Sequence, residues 1–250
     1  MRVLVIGDSC EDIFIYGDII RLSPEAPVPI LKPIRETKNG GMALNVYNNF
    51  LSLNVDVDII TNEKSQIKKV RYVDNRSSQM VLRIDENDVC EEIDEITRMH
   101  ICNNQYQDKT YDAIVISDYC KGFLSKTDIE LLCKTNKNVF IDTKKQLGKW
   151  IEHATFIKIN SFEYKKNYDY FNKSEFKNKL IVTLGSDGCR YKGMEYPVKK
   201  VPVKDVSGAG DTFLTGLVYG YLDTNSIYKA IKFAQECTTI VVQKHGVSTV

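Results

Sequence analysis

Val3-Leu4-Val5-Ile6-Gly7-Asp8 sets the pattern of the chain: four consecutive apolar residues closed by a glycine and an aspartate. Successive side chains of a strand point to opposite faces, so four apolar residues in a row make both faces apolar. Such a strand is stable between two covering layers, the position that strands of parallel sheets occupy. Outward from it, similar runs return at residues 57–60, 113–116, 139–141, 156–159 and 180–183. Between several of them the period becomes helical. Residues 42–53 put Ala43, Val46, Tyr47, Phe50 and Leu51 on one stripe, and residues 128–133 carry Ile129, Leu131 and Leu132. Strands alternating with helices predict an α/β fold of three layers, α/β/α, with a mostly parallel central sheet and right-handed crossovers. Residues 212–222 are apolar nearly all round and predict a buried helix. Ser226 is placed to cap another, carrying Ile227, Ala230, Ile231 and Ala234.

Two stretches break this rhythm. Residues 24–32 alternate proline with aliphatic residues, which suits an edge strand or arm because proline cannot donate to a ladder. Residues 69–85, with Val70, Tyr72, Met80, Leu82 and Ile84, predict a hairpin of two half-buried strands. Together they suggest a small β-strand lid, drawn from about residues 13–35 and 69–85, over one domain spanning residues 1–250.

Bulk properties narrow the function classes. The 250 residues suffice for one α/β domain with a full core. With 43% hydrophobic and 27% charged residues the chain is an ordinary globular one. A net charge of +1 gives no reason to expect nucleic acid or an anionic membrane as partner. No apolar run approaches the roughly 20 residues that cross a bilayer, and residues 3–6 are too short for a secretory leader. The cysteines at 10, 90, 102, 120, 133, 189 and 237 form no CxxC pair, and His100, His153 and His245 are isolated. These spacings oppose a disulfide framework or a zinc site and predict reduced thiols in the cytoplasm.

The chemistry concentrates in Asp205-Val206-Ser207-Gly208-Ala209-Gly210-Asp211-Thr212, placed directly before the buried helix. Glycine lets the backbone approach a ligand closely, and the free N–H groups of a helix start attract an anion. A carboxylate there competes with that anion, but it has a use if it takes the proton of an attacking hydroxyl while a phosphoryl group transfers. A glycine turn capped by Asp211 would explain the tetrapeptide as structure alone. Gly40-Gly41-Met42-Ala43-Leu44-Asn45 brings a second glycine pair to a helix start, with Asn45 one turn in. Asp12 follows the first strand, with Gly17 beyond it, where ligands bind in open α/β sheets. A nicotinamide-binding reading fails because Asp8-Ser9-Cys10 follows Gly7 in place of G-x-G-x-x-G.

Taken in order, Gly7-Asp8 with Asp12 and Gly17, Gly40-Gly41 with Asn45, Asn160-Ser161-Phe162-Glu163, Thr183-Leu184-Gly185 with Gly188, and Gly208-Ala209-Gly210-Asp211 resemble the motif set of the PfkB (ribokinase-like) carbohydrate kinases. Arg21-Leu22-Ser23-Pro24-Glu25-Ala26-Pro27-Val28-Pro29 is similar to the arm of one branch, the D-glycero-β-D-manno-heptose 7-phosphate kinases. Lys69-Val70-Arg71 with Gln79 and residues 82–85, Asp118-Tyr119-Cys120-Lys121-Gly122, Asp142-Thr143-Lys144 and Gly246-Val247-Ser248-Thr249-Val250 resemble the same branch. The resemblance implies a ribokinase-like fold, ATP and Mg²⁺, and phosphorylation of a sugar phosphate at its 1-hydroxyl on the route to ADP-heptose. It also implies roles. Asp211 would be the catalytic base, and Gly208, Ala209 and Gly210 the anion hole. Asp12, Gly40, Gly41 and Asn45 would hold the sugar, with Lys69, Arg71, Asp118, Lys121 and Lys144 about the sugar and its phosphate. Asn160, Glu163, Thr183, Gly185 and Gly188 would line the nucleotide site, and Glu163 would meet Mg²⁺ through water. A solvated surface is the lesser alternative for the lysines. Cys120, where the branch has a small residue, is expected to be an apolar filler.

The chain departs from the branch between Thr61 and Lys69, where about one βα unit is missing; an edge strand would be left open there or covered by a partner chain. It stops at Val250, where relatives continue, and shows no second, nucleotidyltransferase-like domain. A lid of strands can pair with a second copy, so a homodimer is the expected assembly. Two alternatives stay open: a PfkB kinase of another sugar, and a non-catalytic member that binds nucleotide or sugar.

Overall fold

In the computed structural model, which describes residues 1–63, 66–102, 106, 109–172 and 175–250, strand β1 (Arg2–Gly7) sends Val3 and Val5 to one core and Leu4 and Ile6 to another. The same division runs across β4 (Asp56–Thr61), β7 (Ala113–Asp118), β8 (Val139–Thr143), β9 (Phe156–Asn160) and β10 (Leu180–Thr183), which with β1 are the six strands expected from their apolar runs. On one face, Leu4, Ile6, Ile114, Ile116, Ile141 and Ile157 pack with Ile129 and Leu132 of α3 (Lys126–Thr135). On the other, Val3, Val5, Val115 and Phe140 meet Val46 and Phe50 of α1 (Ala43–Ser52), Leu214 and Leu217 of α6 (Ala209–Thr224), and Ile231 of α7 (Ile227–Val241). Each such aliphatic or aromatic side chain, fully buried, stabilises the fold by about 1.5–3 kcal/mol.

The large sheet runs β10-β9-β8-β7-β1-β4, all parallel. The short strands β11 (Cys189–Tyr191) and β12 (Met194–Tyr196) add antiparallel at its far edge. The chain leaves β1 for β4 on one side and returns to β7 on the other. That reversal opens a crevice at the C-terminal ends of β1 and β7, the usual place for a ligand in such sheets. On the other edge β4 has no further strand among the described residues, in keeping with the short 61–69 connection. Its Asp58 is held by Lys109 Nζ at 2.8 Å and by the Tyr111 hydroxyl at 3.0 Å.

A second sheet, β3-β2-β5-β6, is built from β2 (Ser9–Leu22), β3 (Pro29–Met42), β5 (Lys68–Asp74) and β6 (Met80–Glu86). Pro33 lies on edge strand β3, where a missing donor is tolerated. The hairpin expected over 69–85 forms, but only β5 is half-buried. Every residue of β6 is exposed, Met80, Leu82 and Ile84 included, because β6 is the outer strand of the sheet. Asp12 belongs to this sheet and not to a loop beyond β1, since β2 begins two residues after β1 ends. The helix expected after Ser226 is α7, but the Ser226 side chain makes no capping hydrogen bond. The shorter helices are α2 (Glu95–Cys102), α4 (Ser161–Lys166) and α5 (Tyr168–Asn172). Among the described residues no helix is long and apolar enough to cross a membrane.

Candidate active site

The start of α6 organises the crevice. Gly208 has φ 79°, and a Cβ there would stand 2.5 Å from Asn45 Nδ2. Glycine therefore serves twice: it takes a left-handed conformation and leaves room for Asn45. A Cβ on Gly210 would lie 2.9 Å from Lys158 Nζ, so the ammonium of β9 sits against the first turn of the helix. Ala209 begins the helix between them, but its N–H donates to the Val206 carbonyl at 3.2 Å, so it is not the free anion-hole donor expected. Backbone N–H groups at the positive end of the dipole and a lysine ammonium thus meet at one spot, a setting for an anion.

Asp211, in the same turn, is 3% exposed. Asn45 Nδ2 donates to its Oδ2 at 2.9 Å, and the Tyr119 hydroxyl donates to its Oδ1 at 2.7 Å. Burial pushes the Asp211 carboxyl above the usual carboxylate range, and the two hydrogen bonds work against that shift. Asn45 is fixed by Asn49, whose Nδ2 donates to the Asn45 carbonyl at 2.8 Å and to its Oδ1 at 3.2 Å. A cavity of about 350 Å³ opens beside Asn45, lined also by Gly40, Asn48 and Val247.

Next to α6, four charges alternate along the ends of β8 and β9. Lys158 Nζ lies 2.6 Å from Asp142 Oδ2. Lys144 Nζ lies 3.4 Å from Asp142 Oδ1 and 2.5 Å from Glu163 Oε1. Burial pushes the Asp142 carboxyl up, but Lys158 and Lys144 outweigh it and hold the group below its ordinary value. Burial lowers Lys144 in turn, and Asp142 and Glu163 outweigh that, raising it. Asn160 and Glu163 form a reciprocal cap on α4: Glu163 Oε2 accepts from the Asn160 N–H at 2.8 Å, and Asn160 Oδ1 accepts from the N–H groups of Phe162 and Glu163 at 2.9 Å. With its oxygens engaged by Asn160 and Lys144, Glu163 fits a divalent cation through water better than by direct ligation. Among the described residues no cluster of three metal-ligating side chains exists.

Thr183 closes β10, its hydroxyl 3.3 Å from the Ile159 carbonyl. Gly185 follows with φ 63°, and a Cβ there would meet nothing within 4 Å, so its backbone is open to a ligand. Gly188 differs: a Cβ would stand 2.0 Å from the Tyr196 carbonyl oxygen, which makes this glycine a requirement of packing.

The second sheet supplies the opposite wall. Asp12 of β2 and Arg71 of β5 pair at 2.5 Å, both largely buried. A Cβ on Gly41 would lie 2.1 Å from Asp12 Oδ2, so the glycine admits that carboxylate; on Gly40 it would strike Leu44. Lys69 of β5 is 8% exposed, and among the described residues its ammonium has no carboxylate partner. It stands 5.2 Å from the centre of the Tyr119 ring. Burial lowers its pKa; Cys10 and Asp12 oppose this, while the nearby cations Arg83 and Lys121 add to it. Lys121 pairs with Asp88 and Arg83 with Asp85. Asp118 is taken up by the protein, accepting from the Cys120 N–H, the Thr143 hydroxyl and Lys145 Nζ.

The crevice therefore unites Asp211, Asn45, Lys144, Glu163 and the 208–210 turn, with Lys69 across Tyr119, while Asp118 and Gly188 serve the scaffold. Four of its residues had no expected role. Tyr119 lies inside the quoted Asp118–Gly122 stretch, and Asp142 begins the quoted 142–144 stretch. Lys158 interrupts an otherwise apolar strand, a signal that was readable. Arg83 comes into range through the β5–β6 pairing. Cys120 is exposed at φ 60°, not a buried filler, because the loop turns outward there.

Comparison with known proteins bears on the family and the fold. The family model for pfkB family carbohydrate kinases matches residues 47–250. Bifunctional protein HldE of Nitratiruptor sp. is 32% identical over 291 aligned positions that include 99% of this chain and 63% of the relative, so the chain spans less than two thirds of that protein's length. Phosphofructokinase-2 from Escherichia coli, crystallised with potassium, superposes with a TM-score of 0.71 at 12% identity, covering 99% of this chain and 94% of the other. Arabidopsis thaliana ribokinase, in complex with ribose and ATP, gives 0.69 at 13% identity, covering 98% and 93%. At such identities the likeness is one of fold: ribokinase-like, with helices on both sides of a mostly parallel sheet.

Proposed function

The chain belongs to the pfkB family of carbohydrate kinases, and from that premise we propose that it transfers the γ-phosphoryl group of ATP to a hydroxyl of a sugar phosphate. The acceptor we propose is D-glycero-D-manno-heptose 7-phosphate, converted to the 1,7-bisphosphate on the way to ADP-heptose and lipopolysaccharide. The observation that carries the reaction type is Asp211, a buried carboxylate in a glycine-opened helix turn with Lys158 beside it. The acceptor is supported by the heptose-kinase-like stretches at 21–29, 69–71 and 118–122. Lys69, buried and without a carboxylate partner among the described residues, supports a phosphate on it.

In this reading the acceptor hydroxyl lies against Asp211, which takes its proton as the oxygen attacks phosphorus. The amides of Gly208 and Gly210, with Lys158, face the charge that develops on the transferring group, while the Ala209 N–H is held by the Val206 carbonyl. Asp12, Gly41 and Asn45 hold the sugar, and Lys69, Arg71 and Lys121 its phosphate. Asn160, Glu163, Thr183 and Gly185 line the nucleotide side. Mg²⁺, met by Glu163 through water, would supply neutralisation of the nucleotide phosphates. The four-stranded sheet serves as the lid of one kinase domain. The exposed apolar row of β6 supports pairing with a second copy. Free thiols at the described cysteines support a cytoplasmic setting.

The test is ATP turnover by purified protein with Mg²⁺ and, in turn, heptose 7-phosphate, fructose 6-phosphate, ribose or no sugar. Turnover confined to the heptose phosphate is expected. Turnover with another sugar would replace the acceptor, and a folded, nucleotide-binding protein inert with every sugar would remove the kinase reading.

A further inference from the structure

Tyr119 sits at the meeting point of both walls. Its hydroxyl donates to Asp211 Oδ1 at 2.7 Å, and its ring lies 5.2 Å from Lys69 Nζ and 5.1 Å from Lys144 Nζ. Its backbone is equally fixed. The buried Asp8 carboxylate accepts from the N–H groups of Tyr119 at 2.6 Å, Lys121 at 3.3 Å and Phe123 at 3.2 Å. Cys120 holds a left-handed φ of 60° in the same turn, a conformation that persists in a non-glycine residue only where its surroundings impose it. Asp8 at the end of β1 thus anchors a strained loop whose outcome is one hydroxyl on one carboxylate oxygen.

We infer that Tyr119 is a positioning residue for the phosphoryl transfer proposed above, its hydroxyl setting the rotation of the Asp211 carboxylate that an acceptor hydroxyl meets; the inference rests on Asp211 being the base. Asn45 alone would leave the carboxylate free to swing about its Oδ2 bond. With Tyr119 on the other oxygen, both ends are tied, and each oxygen keeps a lone pair for the acceptor. The hydrogen bond also favours the anion. Burial drives Asp211 toward its neutral form, and the hydroxyl opposes this. Burial, together with the Asp211 carboxylate, raises Tyr119 itself well above its ordinary value, so it stays a donor across the working pH range. The other charged or titratable groups about the pair are Asp142, Lys144 and Lys158 from β8 and β9 and the turn between them, Lys69 from β5, and Cys10 from β2.

The test is Tyr119→Phe, which keeps the ring beside the two lysines and the backbone bonds to Asp8. A hydrogen bond to a charged group is worth about 1.5–3 kcal/mol, which corresponds to a roughly 10- to 150-fold fall in kcat. KM for ATP and for the sugar phosphate should stay within about threefold of the parent. With less to oppose burial, the acid limb of the pH profile of kcat/KM should move to higher pH. In parallel, ¹³C NMR of protein labelled at the aspartate carboxyls, with the Asp211 signal assigned from Asp211→Asn, should show Asp211 titrating at higher pH in Tyr119→Phe. An unmoved Asp211 titration would overturn the inference, as would a fall in kcat with no movement of the acid limb. If the parent protein turns over no sugar but the Asp211 signal still moves, the coupling stands and the kinase reading is what fails.

Discussion

Asn45 and Asp211 lie 166 positions apart in the chain and 2.9 Å apart in space, one at the start of α1 and the other at the start of α6. The bond joins two helices that cover the same face of the sheet, so the carboxylate belongs to the framework as much as to its own turn. That has a consequence for stability as well as turnover.

Asp211→Asn should lower kcat by about 10²- to 10⁴-fold, the usual contribution of a general base, with ATP affinity by calorimetry nearly unchanged. The same variant should melt at a higher temperature at pH 7. An aspartate whose folded-state pKa is raised weakens the fold as pH climbs from the free-chain value of about 3.9 through the folded one. Above both values the whole penalty is present, and asparagine removes it. A lower melting temperature would mean that the carboxylate stabilises its surroundings.

Gly208→Ala places a methyl 2.5 Å from Asn45 Nδ2 at a left-handed φ. The backbone strain alone should destabilise the protein by about 1–2 kcal/mol, and displacement of Asn45 should reduce turnover beyond what reduced folding explains. Denaturant titration beside kinetics on the folded fraction separates the two effects.

Lys158→Met leaves the Asp142 carboxylate buried with only Lys144, 3.4 Å away, to balance it. Removing one member of a buried ion pair costs about 3–5 kcal/mol, and the remaining lysine should keep the loss near the lower end. Because Asp142 is held below its ordinary value, its contribution is present above about pH 4 and is lost as pH falls through the folded value. In the variant, acid unfolding followed by circular dichroism should begin at higher pH than in the parent.

For Lys69→Met the expectation is an increase of about tenfold or more in KM for the sugar phosphate, with KM for ATP unchanged. Since the buried ammonium lacks an anionic partner among the described residues, the change should also raise the melting temperature at neutral pH. A matching rise in KM for ATP would move Lys69 to the nucleotide side.

Of the six cysteines whose side chains the structure describes, Cys120 should react first with a thiol reagent in the native state, since it is the exposed one. Cys10, Cys90, Cys133 and Cys189 are pushed up to about 12 by burial, and Cys237 to about 11. Mapping the labelled peptide by mass spectrometry checks this order.

The six parallel strands were readable because each is apolar on both faces, and α1, α3 and α6 because their stripes are long. β11 and β12, three residues each, are too short to establish a period. Met80, Leu82 and Ile84 kept the alternation of a half-buried strand although nothing in the local pattern says whether a layer will cover it. In the site, Asp211 and Asn45 announced themselves through glycines and helix starts, whereas Glu163 came only from the resemblance. Tyr119 did not, because its role comes from a contact 92 positions away. Lys158 could have been found: a lysine within a both-faces-apolar strand needs a buried anion, and Asp142 supplies it.

The division of the site between two sheets also has a meaning for inheritance. What the four-stranded sheet contributes lies between Ser9 and Glu86, and the residues at the ends of β7 to β10 and in the first turn of α6 lie from Asp118 onward. A single genetic crossover within residues 87–112 would therefore exchange one half whole and leave the other intact. Asn45 travels with the first half and Asp211 with the second, so a hybrid must remake that 2.9 Å bond.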